Sequence, residues 1–238
     1  MVAAFAALFV VPSQAAAPRS RLPDLVVAPP RQILIGTEFN GQKWLHFTTS
    51  LANVGAGPME VDALRSAGKP WTIWQRILRS DGTSFRVAMP PAVHLVYQGS
   101  PDHGHWHIHG AARYELWRLG KIAKIRTKRG FCLYDSSNYP PRLPGTPKRS
   151  TYPREGCGTQ SSLRLRTGVS VGWKDDYFWR ITGQQLNITN LPNGNYRLVN
   201  RVDPRNWFRE RNENNNATWV DLLIGDTTVK VVGRSPRP

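Results

Sequence analysis

Polar and apolar residues alternate along much of this chain with the two-residue period of an extended strand rather than the 3.6-residue period of a helix. The clearest run is KWLHFTTSLAN at residues 43–53, which predicts a strand buried on one face. Shorter stretches rich in Val, Ile, Thr, Tyr and Trp recur between clusters of Gly, Pro and Asn. A first strand is expected at 22–27, ended by Pro29 and Pro30. The chain turns at 55–58 and returns through 59–61, and residues 71–78 and 85–88 pair across an SDGT turn at 80–83. Further strands are expected at 111–119, with a turn at Gly120, then at 196–202 and in a final hairpin of 219–224 and 228–232. Residues 136–154, rich in Pro, Arg, Ser and Tyr, predict a loop longer than compact domains usually keep without a use. No linker, repeat or composition break divides the chain. The pattern predicts a mainly β protein, a single β-sandwich domain with long loops.

One stretch does not read as ordinary strand. HGHWHIH at 103–109 holds four of the six histidines at alternate positions, which on a strand would project all four imidazoles from one face. Trp106 and Ile108 would then pack on the other face. A run of solvated histidines is the plainer reading, but four imidazoles on one face are many for it. A metal site is expected, and imidazole suits zinc, copper, iron or nickel. Histidines alone do not choose among hydrolytic and redox chemistry.

Charge and composition narrow the setting. The 238 residues carry a formal net charge of +16, with the excess concentrated between Arg113 and Arg166. Such a field attracts polyanions, among them acidic polymers of a cell envelope, anionic lipid and nucleic acid. No recognition helix or stacking motif makes nucleic acid a specific partner. No run of 18 apolar residues predicts a transmembrane helix. Residues 2–11 are apolar and 13–17 are mostly small, which predicts a secretory signal over 1–17 and a mature chain over 18–238. The usual basic residues before the apolar run are missing, and a buried N-terminal helix is the alternative. In a secreted or envelope protein Cys132 and Cys157 are expected to form one disulfide.

From about residue 22 to 224 the chain resembles the lysyl oxidase catalytic domain, in its shorter microbial form. The residues that carry the likeness are HWHIH at 105–109 with YEL at 114–116, then Lys128 before FCLYD at 131–135. GVS at 168–170, GWKDDY at 172–177, QLNIT at 185–189, GNY at 194–196 and Glu210 leading to Asn215-Asn216 follow in the same order. The resemblance implies that His105, His107 and His109 bind copper and that Lys128 and Tyr177 join as lysine tyrosylquinone. It implies oxidative deamination of a primary amine, free or on a peptidyl lysine, to an aldehyde, with dioxygen consumed and ammonia and hydrogen peroxide released. A general base must remove the proton next to the amine nitrogen, and Asp175 is the candidate; a turn formed by 174–176 is its structural alternative. The resemblance also implies a possible calcium site with ligands at Asp24, the Leu25 carbonyl, Glu210, Asn212, Asn215 and Asn216. Asn212 stands where the animal proteins have an aspartate, and this chain has one possible disulfide where they have several. Two other readings compete. One is a cupin-type metalloenzyme, opposed by the lack of any histidine after His109. The other is an immunoglobulin-like envelope adhesion module, which leaves the histidines unexplained.

Overall fold

A computed structural model describes residues 17–37, 40–99, 104–127 and 130–236. The strands in chain order are β1 (Ser20–Arg21), β2 (Leu25–Val27), β3 (Arg31–Thr37), β4 (Lys43–Asn53), β5 (Met59–Leu64) and β6 (Thr72–Arg79). They continue as β7 (Ser84–Ala88), β8 (Leu95–Gln98), β9 (His105–Ile108), β10 (Ala112–Arg118), β11 (Lys121–Thr127) and β12 (Ser137–Asn138). The last are β13 (Arg164–Val169), β14 (Trp173–Tyr177), β15 (Gln185–Asn187), β16 (Gly194–Val202), β17 (Ala217–Ile224) and β18 (Val229–Arg234). Among the described residues the helical content is one 3-10 turn, Arg154–Cys157. Among the same residues no helix is long and apolar enough to cross a membrane. The signal expected over 1–17 falls almost wholly outside the described residues, and so does Lys128.

β4 organises the fold. Its first half pairs with β3 and β15, and its second half with β2 and β14. A five-stranded antiparallel sheet, β11-β10-β16-β17-β18, faces that assembly. Leu45 and Phe47 of β4 and Leu186 of β15 pack there against Tyr114, Leu116, Leu198 and Leu222 of the opposing sheet. This is the sandwich the alternation predicts. A second sheet of β1, β6, β5 and β13, with β7 beside β6, closes another apolar cluster that holds Leu51, Met59, Ile108, Phe131, Trp173 and Tyr177. The alternation predicts a half-buried β4. The strand is instead buried on both faces from Phe47 to Asn53, because apolar clusters lie on its two sides.

The long loop is present between β12 and the 3-10 turn, and Cys132 and Cys157 are bridged across its base with Cα atoms 5.7 Å apart. Asp135 pins the loop from inside. Its carboxylate accepts backbone N–H bonds from Thr151 and Ser170, each at 2.8 Å, and a hydroxyl bond from Ser170.

Candidate active site

β9 places the histidines. It pairs with β8, and Ile108 exchanges both backbone hydrogen bonds with Phe131. His105 and His107 lie two residues apart on one face, buried, with ring centroids 4.7 Å apart. Trp106 points the other way and meets Trp71 and Tyr97 edge-on, while the Arg65 guanidinium stacks 4.5 Å over its ring. β9 ends at Ile108, and the chain turns at Gly110 with φ of 80°. His109 therefore leaves the strand, and its ring stacks on His94 at 4.6 Å. His103 lies outside the described residues.

Phe131 and Cys132 bring the second half of the site against β9. Gly130 permits the approach: a Cβ there would sit 2.2 Å from the Cβ of His107. The Phe131 ring meets the ring of Tyr177 edge-on at 4.8 Å. Tyr177 ends β14, and Asp175, two residues earlier, shares its face. The Tyr177 hydroxyl donates to the Asp175 carboxylate, with the Cys132 carbonyl oxygen 3.2 Å away. Asp175 is fully buried and lies on a strand, so the turn reading of 174–176 does not hold. Burial first, and the neighbouring Asp175 carboxylate second, push the Tyr177 phenol well above its ordinary range.

His105, His107 and Tyr177 line one cavity of about 120 Å³ together with Cys132, Tyr134, Arg154, Asp176 and Ile181. Nothing in the sequence pattern singles out Tyr134, Arg154 and Asp176 as site residues. The disulfide offers the missing signal, since it joins the segment holding Tyr134 to the one holding Arg154. Burial raises the Tyr134 phenol, as does Asp175, while Arg154 opposes both. Asp176 stays ionised. Burial alone would raise it, but hydrogen bonds from Ser137, Ser50 and Lys174 outweigh that and hold it below the usual carboxylate range.

The family model for lysyl oxidase matches residues 88–233, more than half of the chain, and spans every histidine from His94 onward together with Asp175 and Tyr177. The chain belongs to the lysyl oxidase family. Members of this family are copper amine oxidases, so the match supports an amine oxidase. No curated protein matches the chain.

The expected calcium ligands fall into two neighbouring groups. Asp24 is held by Arg211 at 2.8 Å and by the Asn215 amide at 2.7 Å. Glu210 accepts from the Leu25 backbone N–H and, at 3.1 Å, from the Asn216 amide. Asn212 caps its own turn by accepting from the Asn214 backbone N–H. Two further carboxylates, Asp203 and Glu213, converge on Glu210, with ligand oxygens of the three within 4.8 Å of one another. Burial drives the Glu210 carboxyl up to about 8 and the Asp203 carboxyl up to about 6. Glu213 Oε2, Asn215 Oδ1 and Asn216 Oδ1 are buried without a hydrogen-bond donor. Oxygen acceptors left without donors beside clustered carboxylates are what a hard cation requires.

Proposed function

We propose that this protein is an exported copper- and quinone-dependent oxidase of primary amines. His105, His107 and His109 would hold copper, and Lys128 and Tyr177 would join as lysine tyrosylquinone. What carries the reading is the family match together with one cavity shared by two imidazoles of the HxHxH run and the buried ring of Tyr177. An all-imidazole donor set suits copper. Lys128 is two residues from Gly130, which lies against His107. When bound, copper with dioxygen supplies the oxidation of the Tyr177 ring, and the quinone supplies an electrophilic carbonyl and an electron sink for the amine.

The chain's own residues would do the rest. Asp175, already hydrogen-bonded at the Tyr177 oxygen, would take the proton from the carbon next to the substrate nitrogen. Phe131 and Ile181 keep water from the ring. Arg154 disfavours a second cation in the cavity, so an entering amine is favoured in its neutral, nucleophilic form. A cavity of about 120 Å³ admits an unbranched alkylamine such as a lysine tail better than a bulky one. The three carboxylates around Glu210, with the donorless oxygens of Asn215 and Asn216, would hold calcium as a structural ion. Anionic polymers of the cell envelope are the natural partners of a surface this basic.

The test is a redox-cycling stain for protein-bound quinone on copper-loaded protein. The stain should appear in the parent and vanish in Tyr177→Phe and Lys128→Ala. Persistence in Tyr177→Phe would defeat the proposal. Metal without stain would point to a cupin-type enzyme, and neither metal nor stain to an adhesion module.

A further inference from the structure

The hairpin of β10 and β11 exposes what most surfaces hide. Its two-residue turn is Leu119-Gly120, with φ of 48° and 73°. Positive φ at both positions is the requirement of the tight hairpin turn for which Asn-Gly is the usual sequence. A leucine there carries a backbone cost and, at 88% exposed, regains nothing by burial within the chain. Ile122 and Ile125, opposite Trp117 and Glu115, continue an apolar stripe along the outer face and are 45% and 53% exposed. Cations stand on the hairpin's other face at Arg118, Lys121 and Lys124, with Arg118 5.7 Å over the Tyr196 ring, so the tip carries the apolar stripe on one side and positive charge on the other.

The groove behind the tip favours an apolar occupant. It encloses about 580 Å³, with Trp117, Leu119 and Val232 among its walls. Arg197 and Asp221 lie in it too, but they pair with each other at 2.8 and 3.0 Å. Arg197 also stacks on Trp219 at 3.8 Å. These two charged groups are satisfied, which leaves the polar side chain of Asn195 in a wall otherwise mostly apolar. A second copy of the chain is disfavoured by the net charge of +16. A soluble acidic polymer would answer the cations and leave Leu119 in water.

We propose that the Leu119 hairpin docks the protein on an anionic lipid bilayer. Leu119 enters the boundary between headgroups and acyl chains, Ile122 and Ile125 follow it, and Arg118, Lys121 and Lys124 lie among the anionic headgroups. An apolar wedge backed by cations on its other face binds through burial and charge together. The inference is independent of the redox chemistry proposed above.

The test is co-sedimentation of the full chain with phosphatidylcholine vesicles containing either about 30% phosphatidylglycerol or none. Leu119→Asn suits the turn better than leucine, so it keeps the fold, which a thermal melt verifies. The parent should partition onto the anionic vesicles and little onto the neutral ones. Leu119→Asn should lose about tenfold in partition coefficient, the worth of one buried leucine. Lys121→Gln with Lys124→Gln should also weaken binding and flatten its salt dependence. A Leu119→Cys protein carrying an environment-sensitive dye should shift to the blue on anionic vesicles and not on polyglutamate. Equal partition of the parent and Leu119→Asn, no affinity for anionic vesicles, or binding without a blue shift would each overturn the proposal, the last in favour of a soluble polyanion.

Discussion

The hydroxyl of Tyr177 donates to the carboxylate of Asp175, two residues before it on the same face of β14. The relationship couples a buried phenol to a buried negative charge at the end of a cavity that also holds His105 and His107. Neither group can change its protonation without affecting the other.

Replacing Asp175 with asparagine keeps the shape and removes the charge. Amine turnover should fall by about 10² to 10⁴, the usual worth of a positioned general base, while the quinone stain persists. The phenol of Tyr177 should also titrate at lower pH in metal-free protein, because the Asp175 charge, second only to burial in raising it, is gone. Steady-state rates and ultraviolet titration measure the two effects. Full activity in Asp175→Asn would exclude the carboxylate as the base.

Gly130→Ala should damage the site from behind. Its new Cβ would lie 2.2 Å from His107 Cβ and 3.1 Å from Cγ, and the Cβ cannot give way without moving β9. Overpacking of this kind costs about 1–3 kcal/mol. The expected outcome is a lower melting temperature together with copper affinity at least tenfold weaker in a competition titration. Gly99→Ala, whose Cβ would meet nothing closer than 3.7 Å, is the control and should change neither.

The bridge between Cys132 and Cys157 holds Arg154 beside the cavity as well as stabilising the fold. Closing a separation of 25 residues is worth about 3 kcal/mol by chain entropy. The double change to serine should therefore lower the melting temperature by about 6–12 °C in a chain this size. The preference for the neutral amine should weaken, so the Michaelis constant should depend less on pH than in the parent, because Arg154 loses its anchor. Calorimetry and the Michaelis constant for a simple alkylamine separate the two effects.

Much of this is legible in the chain and some is not. β4 begins and ends where the alternation of 43–53 says, and the Asp175–Tyr177 contact follows from a period of two. β3 is hidden because Pro29-Pro30 reads as an end, yet the chain resumes pairing with β4 after an irregularity near Gln32, which has φ of 49°. β8 is four residues long and pairs with β9 alone, so no periodicity announces it. The same period of two does not show where β9 stops, because nothing in HWHIHG marks an end before the last histidine. Tyr134 and Arg154 meet through a covalent bridge rather than through local pattern. Asp203 sits past the end of β16 with φ of 39°, and its nearness to Glu210 and Glu213 is a property of the folded chain alone.

That acidic cluster predicts an unusual pH dependence. Glu210 has an ordinary value of 4.5 in the unfolded chain and one of about 8 when buried in the fold. The folded state therefore binds more protons between those values, and stability must fall as pH rises from about 5 to about 8. In a rigid fold the loss would reach about 5 kcal/mol, since each tenfold change in proton affinity is worth about 1.4 kcal/mol. Asp203, raised to about 6, acts in the same sense over the lower part of that window. A bound calcium ion would supply the missing positive charge and remove the penalty. Melting temperatures in chelator should drop steadily from about pH 5 to about pH 8, and calcium should restore them most strongly at the alkaline end. Glu210→Gln should remove the slope above about pH 6 and the calcium response, leaving only the shallower part that Asp203 contributes and a protein folded at the alkaline end. A chelated protein equally stable at both ends of the window would show that the three carboxylates are already compensated without an ion.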